Sequence, residues 1–258
     1  MKVLYYDCFC GISGDMNLGA LLDLGVEKEY LLKELSKLNL QSEYELRIEK
    51  KLKKGILGTQ VQVELKNAHN PDLHGHGHGH HHSHHHHEHR NLKDIEDLIQ
   101  GSDLSLPVKE NSRHMFRIVA EAEAAVHGKS LYEVHFHEVG AVDSIIDMVG
   151  AAICLEYLQV DKIIASTVQV GGGFVECAHG IIPVPAPATV EILKQVPIKS
   201  GIVPFETTTP TGAAILSANV SEFSEQMDMM VERIGYGIGH HDLDIPNVLR
   251  VYLGHIQS

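Results

Sequence analysis

The feature of this sequence with the clearest chemical meaning is a tract of histidines. The chain of 258 residues has twenty histidines, and eleven of them fall within sixteen positions. Neutral imidazole is a good ligand for nickel, copper and zinc. The predicted metal ligands of the tract are His74, His76, His78, His80, His81, His82, His84, His85, His86, His87 and His89. The alternatives are a solvated linker or a purification tag, and the internal position argues against a tag.

A second group of candidate ligands lies in the segment that reads His135-Phe136-His137-Glu138. The residues from Leu131 to His137 predict a short strand, on which His135 and His137 would point to one face and reach one ion. Carboxylates follow at Asp143 and Asp147, four residues apart on a predicted helix. We therefore predict a catalytic site of His135, His137, Glu138 and Asp143, with both histidines also binding metal. The alternatives are packed or solvated histidines, and carboxylates that only favour a helix N-terminus.

Two further segments predict substrate binding. The first follows a buried strand that ends at Asp7, where a glycine-rich turn leads into a helix with Ser13 as its N-cap. Backbone N–H groups at such a turn can hold a phosphate or carboxylate, although the turn can also be a tight connection. The second segment has more hydroxyl groups before a helix than capping needs. The predicted substrate-binding residues are Asp7, Gly11, Ser13, Gly14, Asp15, Thr207, Thr208 and Thr209.

A last histidine pair, His240-His241 followed by Asp242, comes after a glycine-rich run. These side chains could reach a metal, but the composition favours an exposed loop.

The elements that must position these residues alternate between strands and helices along the chain. This alternation predicts an α/β or α+β fold with mixed sheets. Between Asn67 and Arg90 the periodicity disappears into Pro, Gly, Ser and His, which cannot form a packed core. We therefore predict an N-terminal α/β segment over 1–67, a disordered metal-binding linker over 68–90 and a main α/β domain over 91–258.

The overall composition excludes several classes of function. Acidic residues outnumber basic ones by 34 to 21, for a net charge of −13. Nucleic-acid and membrane-surface binding depend on clustered Lys and Arg, so we expect neither partner. Four cysteines without a CxxC pair indicate a reducing compartment. No segment has the length of a signal peptide core or a membrane span, so we expect a cytoplasmic protein.

Taken together, five segments resemble the LarC family of nickel-insertion proteins in order and spacing. These segments are Asp7–Met16, His135–Ile145, Gly171–Thr189, Thr207–Gly212 and Pro246–Arg250. The family's variable His-rich linker corresponds to His74–His89. One departure is Cys10, at a position where the family has Ser or Ala.

The resemblance implies a nickel chelatase, or cyclometallase, of the lyase class. LarC proteins insert Ni²⁺ into pyridinium-3,5-bisthiocarboxylic acid mononucleotide, with one carbon–nickel and two sulfur–nickel bonds. The reaction uses CTP and a divalent metal, Mg²⁺ or Mn²⁺, and the product is the cofactor of lactate racemase. The family also has a C-terminal domain that is thought to bind CTP, so we expect turnover to require that part as a partner. We also expect a homo-oligomer.

Two other functions stay open at this point. The first is a nickel storage or delivery protein without catalysis, and the second is a metal-dependent hydrolase built on His135, His137 and Glu138.

Overall fold

We describe the fold from a computed structural model. It describes residues 1–66, 90–134, 136, 141–177 and 180–256, and for Cys177 the backbone only. The eleven histidines of the tract, together with His135, His137 and Glu138, lie outside the described residues. Their predicted roles therefore stay predictions.

The described residues form a mixed α/β structure, as the sequence predicts. The strands are β1 (Lys2–Asp7), β2 (Tyr44–Lys53), β3 (Ile56–Leu65), β4 (Lys162–Ala165), β5 (Val168–Gln169), β6 (Phe174–Cys177), β7 (Gly180–Pro183), β8 (Ile198–Lys199), β9 (Glu222–Phe223), β10 (Met230–Ile238) and β11 (Val248–His255). The helices are α1 (Gly14–Asp23), α2 (Lys28–Ser36), α3 (Leu92–Gly101), α4 (Leu106–His127), α5 (Val142–Leu158), α6 (Pro187–Ile192) and α7 (Pro210–Asn219).

Seven of the strands form one mixed sheet in the order β2-β3-β10-β11-β1-β4-β9. The interior strand β1 pairs antiparallel with β11 and parallel with β4. The sheet therefore combines strands from before and after the predicted linker. Arg90, which the prediction includes in that linker, donates a hydrogen bond from Nη2 to Oε1 of Glu43 at 2.7 Å. The predicted division into domains stays a prediction.

The main core lies between the sheet and the helices. Leu4 and Tyr6 of β1 alternate with residues of the opposite face, and they pack with Val251 of β11 and with apolar residues of α1, α4 and α5. A smaller cluster of Val3, Tyr5 and Ile164 occupies the other face of the sheet. Among the helices of the described residues, none has the length and apolar composition that crossing a bilayer requires.

Helix α1 lies unusually close to the sheet because β10 has glycines where the two meet. A Cβ atom at Gly235 would collide with the Ala20 carbonyl, and one at Gly237 would collide with the Met16 carbonyl. The absence of side chains at these two positions lets the helix backbone contact the strand backbone. This contact sets the position of the first turn of α1 relative to the end of β10.

One predicted element is wrong in part. Residues Leu131–Glu133 form a single 3-10 turn instead of the start of a strand. The Ser130 side chain and the Glu133 carboxylate bond to each other, and the Glu133 Oε2 also accepts from the Ser130 N–H at 3.4 Å. This capping box closes a turn, and a short local hydrogen-bonded motif outweighs the strand propensity of three residues.

Candidate functional site

A cleft of about 230 Å³ lies where three helices begin. Its walls come from the first turns of α1, α5 and α7 and from the residue that precedes the threonine-rich turn. The residues that line the cleft are Ser13, Gly14, Asp15, Asp143, Ser144, Asp147, Glu206, Thr209, Pro210 and Thr211. In the sequence, each of these helix starts is more than sixty residues from the next. Only the tertiary fold brings them together.

Neither α1 nor α5 has an N-cap side chain that accepts from its first N–H groups, although the Ser144 N–H of α5 donates to Asp143 Oδ1 at 2.9 Å. Ser13 stands at the N-cap of α1 as predicted, but its hydroxyl donates to Asp15 instead of accepting from the helix. Ala141, at the N-cap of α5, has no polar side chain. The first N–H groups of a helix, together with the helix dipole, attract an anionic group. The α1 and α5 termini are therefore suited to bind phosphate or carboxylate.

Four carboxylates line the same cleft, on Asp15, Asp143, Asp147 and Glu206. Asp147 has the most unusual environment, because its Oδ1 is shielded from solvent and has no hydrogen-bond partner within the described part of the chain. Burial raises the pKa of Asp147 well above its ordinary value, and the negative charges of Asp15 and Asp143 raise it further. A carboxyl group in this condition accepts a proton more readily than an ordinary aspartate.

Asp147 also explains why residue 14 is a glycine. A Cβ atom at Gly14 would lie 2.5 Å from the Asp147 Cβ and 2.6 Å from its Cγ. Real Cβ atoms do not approach other carbons so closely, so α1 and α5 can meet only if residue 14 has no side chain. The glycine therefore allows the Asp147 carboxylate to lie against the start of α1.

Asp15 is held by two donors. Its Oδ1 accepts from the Ser13 hydroxyl, and its Oδ2 lies 3.1 Å from Nε2 of His240. His240 lies in the loop after β10, and 41% of its side-chain surface is exposed to solvent. The sequence indicated an exposed loop correctly, but nothing in the local pattern indicates the contact with Asp15.

The three hydroxyl groups at the start of the threonine-rich turn all make hydrogen bonds within the fold. Thr207 and Thr208 both donate to the Gln169 carbonyl, at 2.9 and 2.6 Å. Thr209 caps α7 by accepting from the Gly212 N–H at 3.2 Å. Of the three threonines predicted to bind substrate, only Thr209 lines the cleft.

The remaining predicted substrate residues have other contacts. The Oδ2 of Asp7 accepts from Nε and Nη2 of Arg250, at 2.9 and 2.5 Å, and Asp7 does not line the cleft. Gly11 has a φ of +79° and lies against the Thr207 carbonyl, so it brings the turn before α1 next to the threonine-rich turn. Neither residue is among those that line the cleft.

Several residues that line the cleft are not among the residues predicted from motifs. Glu206, Ser144 and Thr211 line the cleft without being predicted site residues, although Ser144 and Thr211 lie within two of the segments that resemble the family. Within the described residues, no three His, Cys, Asp or Glu side chains are placed to hold a metal ion together. The cleft of the described residues therefore offers N–H donors for an anion and carboxylates for a cation or proton.

Comparison with known proteins agrees on one family. The sequence model of a family described as "Nickel insertion protein" matches residues 4–258. The chain is 69% identical over 255 residues to the pyridinium-3,5-bisthiocarboxylic acid mononucleotide nickel insertion protein of Clostridium kluyveri, covering 98% of this chain and 62% of that protein.

Two other relatives carry the same description. The one from Clostridium acetobutylicum is 64% identical over 273 residues, and the alignment covers 100% of this chain and 65% of that protein. The one from Geobacillus kaustophilus is 50% identical over 259 residues, with 98% and 60% covered. The chain thus spans less than two thirds of the length of these relatives. No solved structure matches it. From the family match and these identities, the chain belongs to the nickel insertion protein family.

Proposed function

We propose that this chain binds Ni²⁺ and takes part in its insertion into pyridinium-3,5-bisthiocarboxylic acid mononucleotide, as a nickel chelatase of the lyase class. The names of the relatives support the substrate and the metal. The observation that carries the proposal is the cleft, which brings two helix N-termini without an N-cap side-chain bond together with four carboxylates. A mononucleotide with an anionic phosphate and a pyridinium cation requires both kinds of group.

The helix N-termini would hold the anionic parts of the substrate. The N–H groups of α1 and α5 provide donors for the phosphate without a positively charged side chain. Thr209 and Thr211 add hydroxyl groups on the third side of the cleft. In this arrangement the phosphate lies at the helix starts and the pyridinium ring lies among the carboxylates.

His135, His137 and Glu138 would present the nickel ion. In the sequence they come directly before the N-terminus of α5, which lines the cleft. The tract His74–His89 would gather the ion and raise its concentration near this site, as a tether does for any ligand. The thiocarboxylates of the substrate would supply the two sulfur ligands.

Asp147 would take the proton that leaves the ring. When nickel is inserted, a carbon–hydrogen bond of the pyridinium ring breaks, a carbon–nickel bond forms and one proton is released. A general base works best when its pKa lies near the operating pH. The raised pKa of Asp147, caused by burial and by Asp15 and Asp143, brings the carboxylate closer to this condition.

Turnover would also require the part of the longer relatives that this chain does not span. We propose that this part uses CTP with Mg²⁺ or Mn²⁺. We also propose a cytoplasmic location, which is supported by free thiols at Cys8, Cys10 and Cys154.

The test is reconstitution with the mononucleotide, CTP, Mg²⁺, Ni²⁺ and the additional part of a relative, with the nickel-containing product measured by mass spectrometry. Asp147→Asn should lower the rate by about 100-fold or more, as expected for loss of a general base. The control is Asp97→Asn, because Asp97 is an exposed aspartate of α3. If Asp147→Asn keeps the rate of the control, Asp147 is not the base.

The roles of the histidine tract and of His135 and His137 can be distinguished by varying the nickel concentration. The double substitution of His135 and His137 by Ala should abolish product even in excess nickel. Deletion of His74–His89 should lower the rate only when nickel is scarce. Nickel binding without any product, with the additional part present, would instead favour a storage or delivery protein. Hydrolysis of a phosphoester without nickel or nucleotide would favour a hydrolase.

A further inference from the structure

The backbone on both sides of His240 is held by hydrogen bonds to one residue, Asn247. The side-chain Nδ2 of the buried Asn247 donates to the His241 carbonyl at 3.1 Å, and the Asn247 carbonyl accepts from the Gly239 N–H at 2.9 Å. A Cβ atom at Gly239 would lie 2.5 Å from Asn247 Nδ2, so a side chain there would displace the asparagine. The residues on each side of His240 are therefore anchored on the same asparagine, and the imidazole leaves the backbone in one direction.

The imidazole reaches two acceptors with one nitrogen. Its Nε2 lies 3.1 Å from Asp15 Oδ2 and 3.2 Å from the Val61 carbonyl. Both partners accept hydrogen bonds, so Nε2 must carry a proton. Partial burial of the ring and the positive charge of Lys51 both lower the pKa of His240, against the effect of Asp15.

We infer that His240 is a positioning residue of the cleft, which orients the Asp15 carboxylate and balances its charge beside the substrate. The inference rests on the proposed function and extends it to a residue outside the helix starts. Asp15 then has a donor on each oxygen, whereas Asp147 Oδ1 has none among the described residues. Two carboxylates of one cleft with such different surroundings can serve different roles, one as a fixed anion and the other as the proton acceptor.

The charge of His240 makes this role dependent on pH. The hydrogen bond to Asp15 raises the pKa of His240 above its ordinary value. The imidazolium therefore persists above the usual histidine pKa of about 6.5 and is lost as the pH rises through the folded value. We expect the insertion rate to fall in that alkaline step, because the Asp15 charge is then no longer balanced.

The experiment compares His240→Gln and His240→Ala with His255→Gln. The control is matched, because His255 also pairs with a carboxylate, Glu232 at 2.8 Å, on the exposed end of β11. In the reconstituted reaction, His240→Ala should lower the rate by about tenfold, as for loss of a charge-assisted hydrogen bond. His240→Gln, which keeps a donor without the charge, should recover part of the rate and lack the alkaline step.

A second measurement tests the coupling between His240 and Asp15 without relying on product formation. Histidine ring NMR of the whole chain, with His240 assigned by its missing signal in His240→Gln, should give a pKa that falls in Asp15→Asn. If the pKa is unchanged, or if both His240 variants lose rate equally at every pH, the positioning role is refuted. If even the wild-type protein forms no product while the pKa still depends on Asp15, the proposed function fails and the His240–Asp15 coupling stands.

Discussion

The contact between Gly14 and Asp147 makes a specific prediction about stability. Gly14→Ala places a methyl group 2.5 Å from the Asp147 Cβ. The Asp147 Cβ is attached to the α5 backbone, so relief requires the two helices to move apart. Overpacking of this kind costs about 1–3 kcal/mol, and replacing a helical glycine with alanine returns about 0.5–1 kcal/mol. We therefore expect a net loss of up to about 2.5 kcal/mol in the free energy of unfolding.

Urea denaturation monitored by circular dichroism measures this loss. Gly101→Ala is the matched control, because Gly101 is also helical and a Cβ atom there would meet nothing within 4 Å. That variant should be unchanged or slightly more stable. The same Gly14→Ala change in an Asp147→Gly background should lose its cost, since the colliding atoms are gone. If Gly14→Ala is as stable as Gly101→Ala, or if its cost persists without the Asp147 side chain, the steric argument is refuted.

Three other outcomes follow from contacts in and behind the cleft. The pKa of Asp147 is raised in the folded protein, so the protein loses stability as the pH rises from the unfolded-state pKa, about 3.9, towards the folded-state pKa. We therefore expect Asp147→Asn to be more stable than the wild-type protein at pH 7 but not at pH 3. Urea titration at both pH values measures the difference. Thr209→Ala should cost about 1 kcal/mol in unfolding free energy through loss of the α7 cap, and Thr209→Ser should restore it. Arg250→Gln should cost about 1–3 kcal/mol in urea denaturation by leaving the Asp7 carboxylate, with 17% of its side-chain surface exposed, without its ion pair. An Arg250→Gln protein of unchanged stability would show that Asp7 is available for another role.

The local elements follow closely from sequence patterns. The apolar periodicity from Val142 to Leu158 predicts a helix, and the structure has α5 there. The alternation on both sides of Lys53-Lys54-Gly55 predicts a hairpin, and the structure has β2 and β3 there. Their signals are a sustained apolar periodicity and a turn sequence, which act within one element. The segment from Leu131 fails because its strand signal is short, and the side-chain bonds between Ser130 and Glu133 favour a turn.

The cleft could be predicted only in part. Ser13, Gly14 and Asp15 are evident from a strand–turn–helix pattern, and Asp143 from its place near a histidine motif. His240 carries no such signal, since its partner Asp15 is 225 positions away in the chain. The close approach of α1 to β10, which brings Asp15 near the loop that carries His240, depends on backbone contacts that no periodicity describes.

The sequence by itself determines the family, most of the helices and longer strands, and the types of group available for nickel and for anions. The tertiary structure decides how those groups are used. Asp7 faces Arg250 across β1 and β11, while Thr207 and Thr208 both satisfy the Gln169 carbonyl. The physical reason is that a buried polar group must find a hydrogen-bond partner, and the packing of distant elements determines which partner lies within reach.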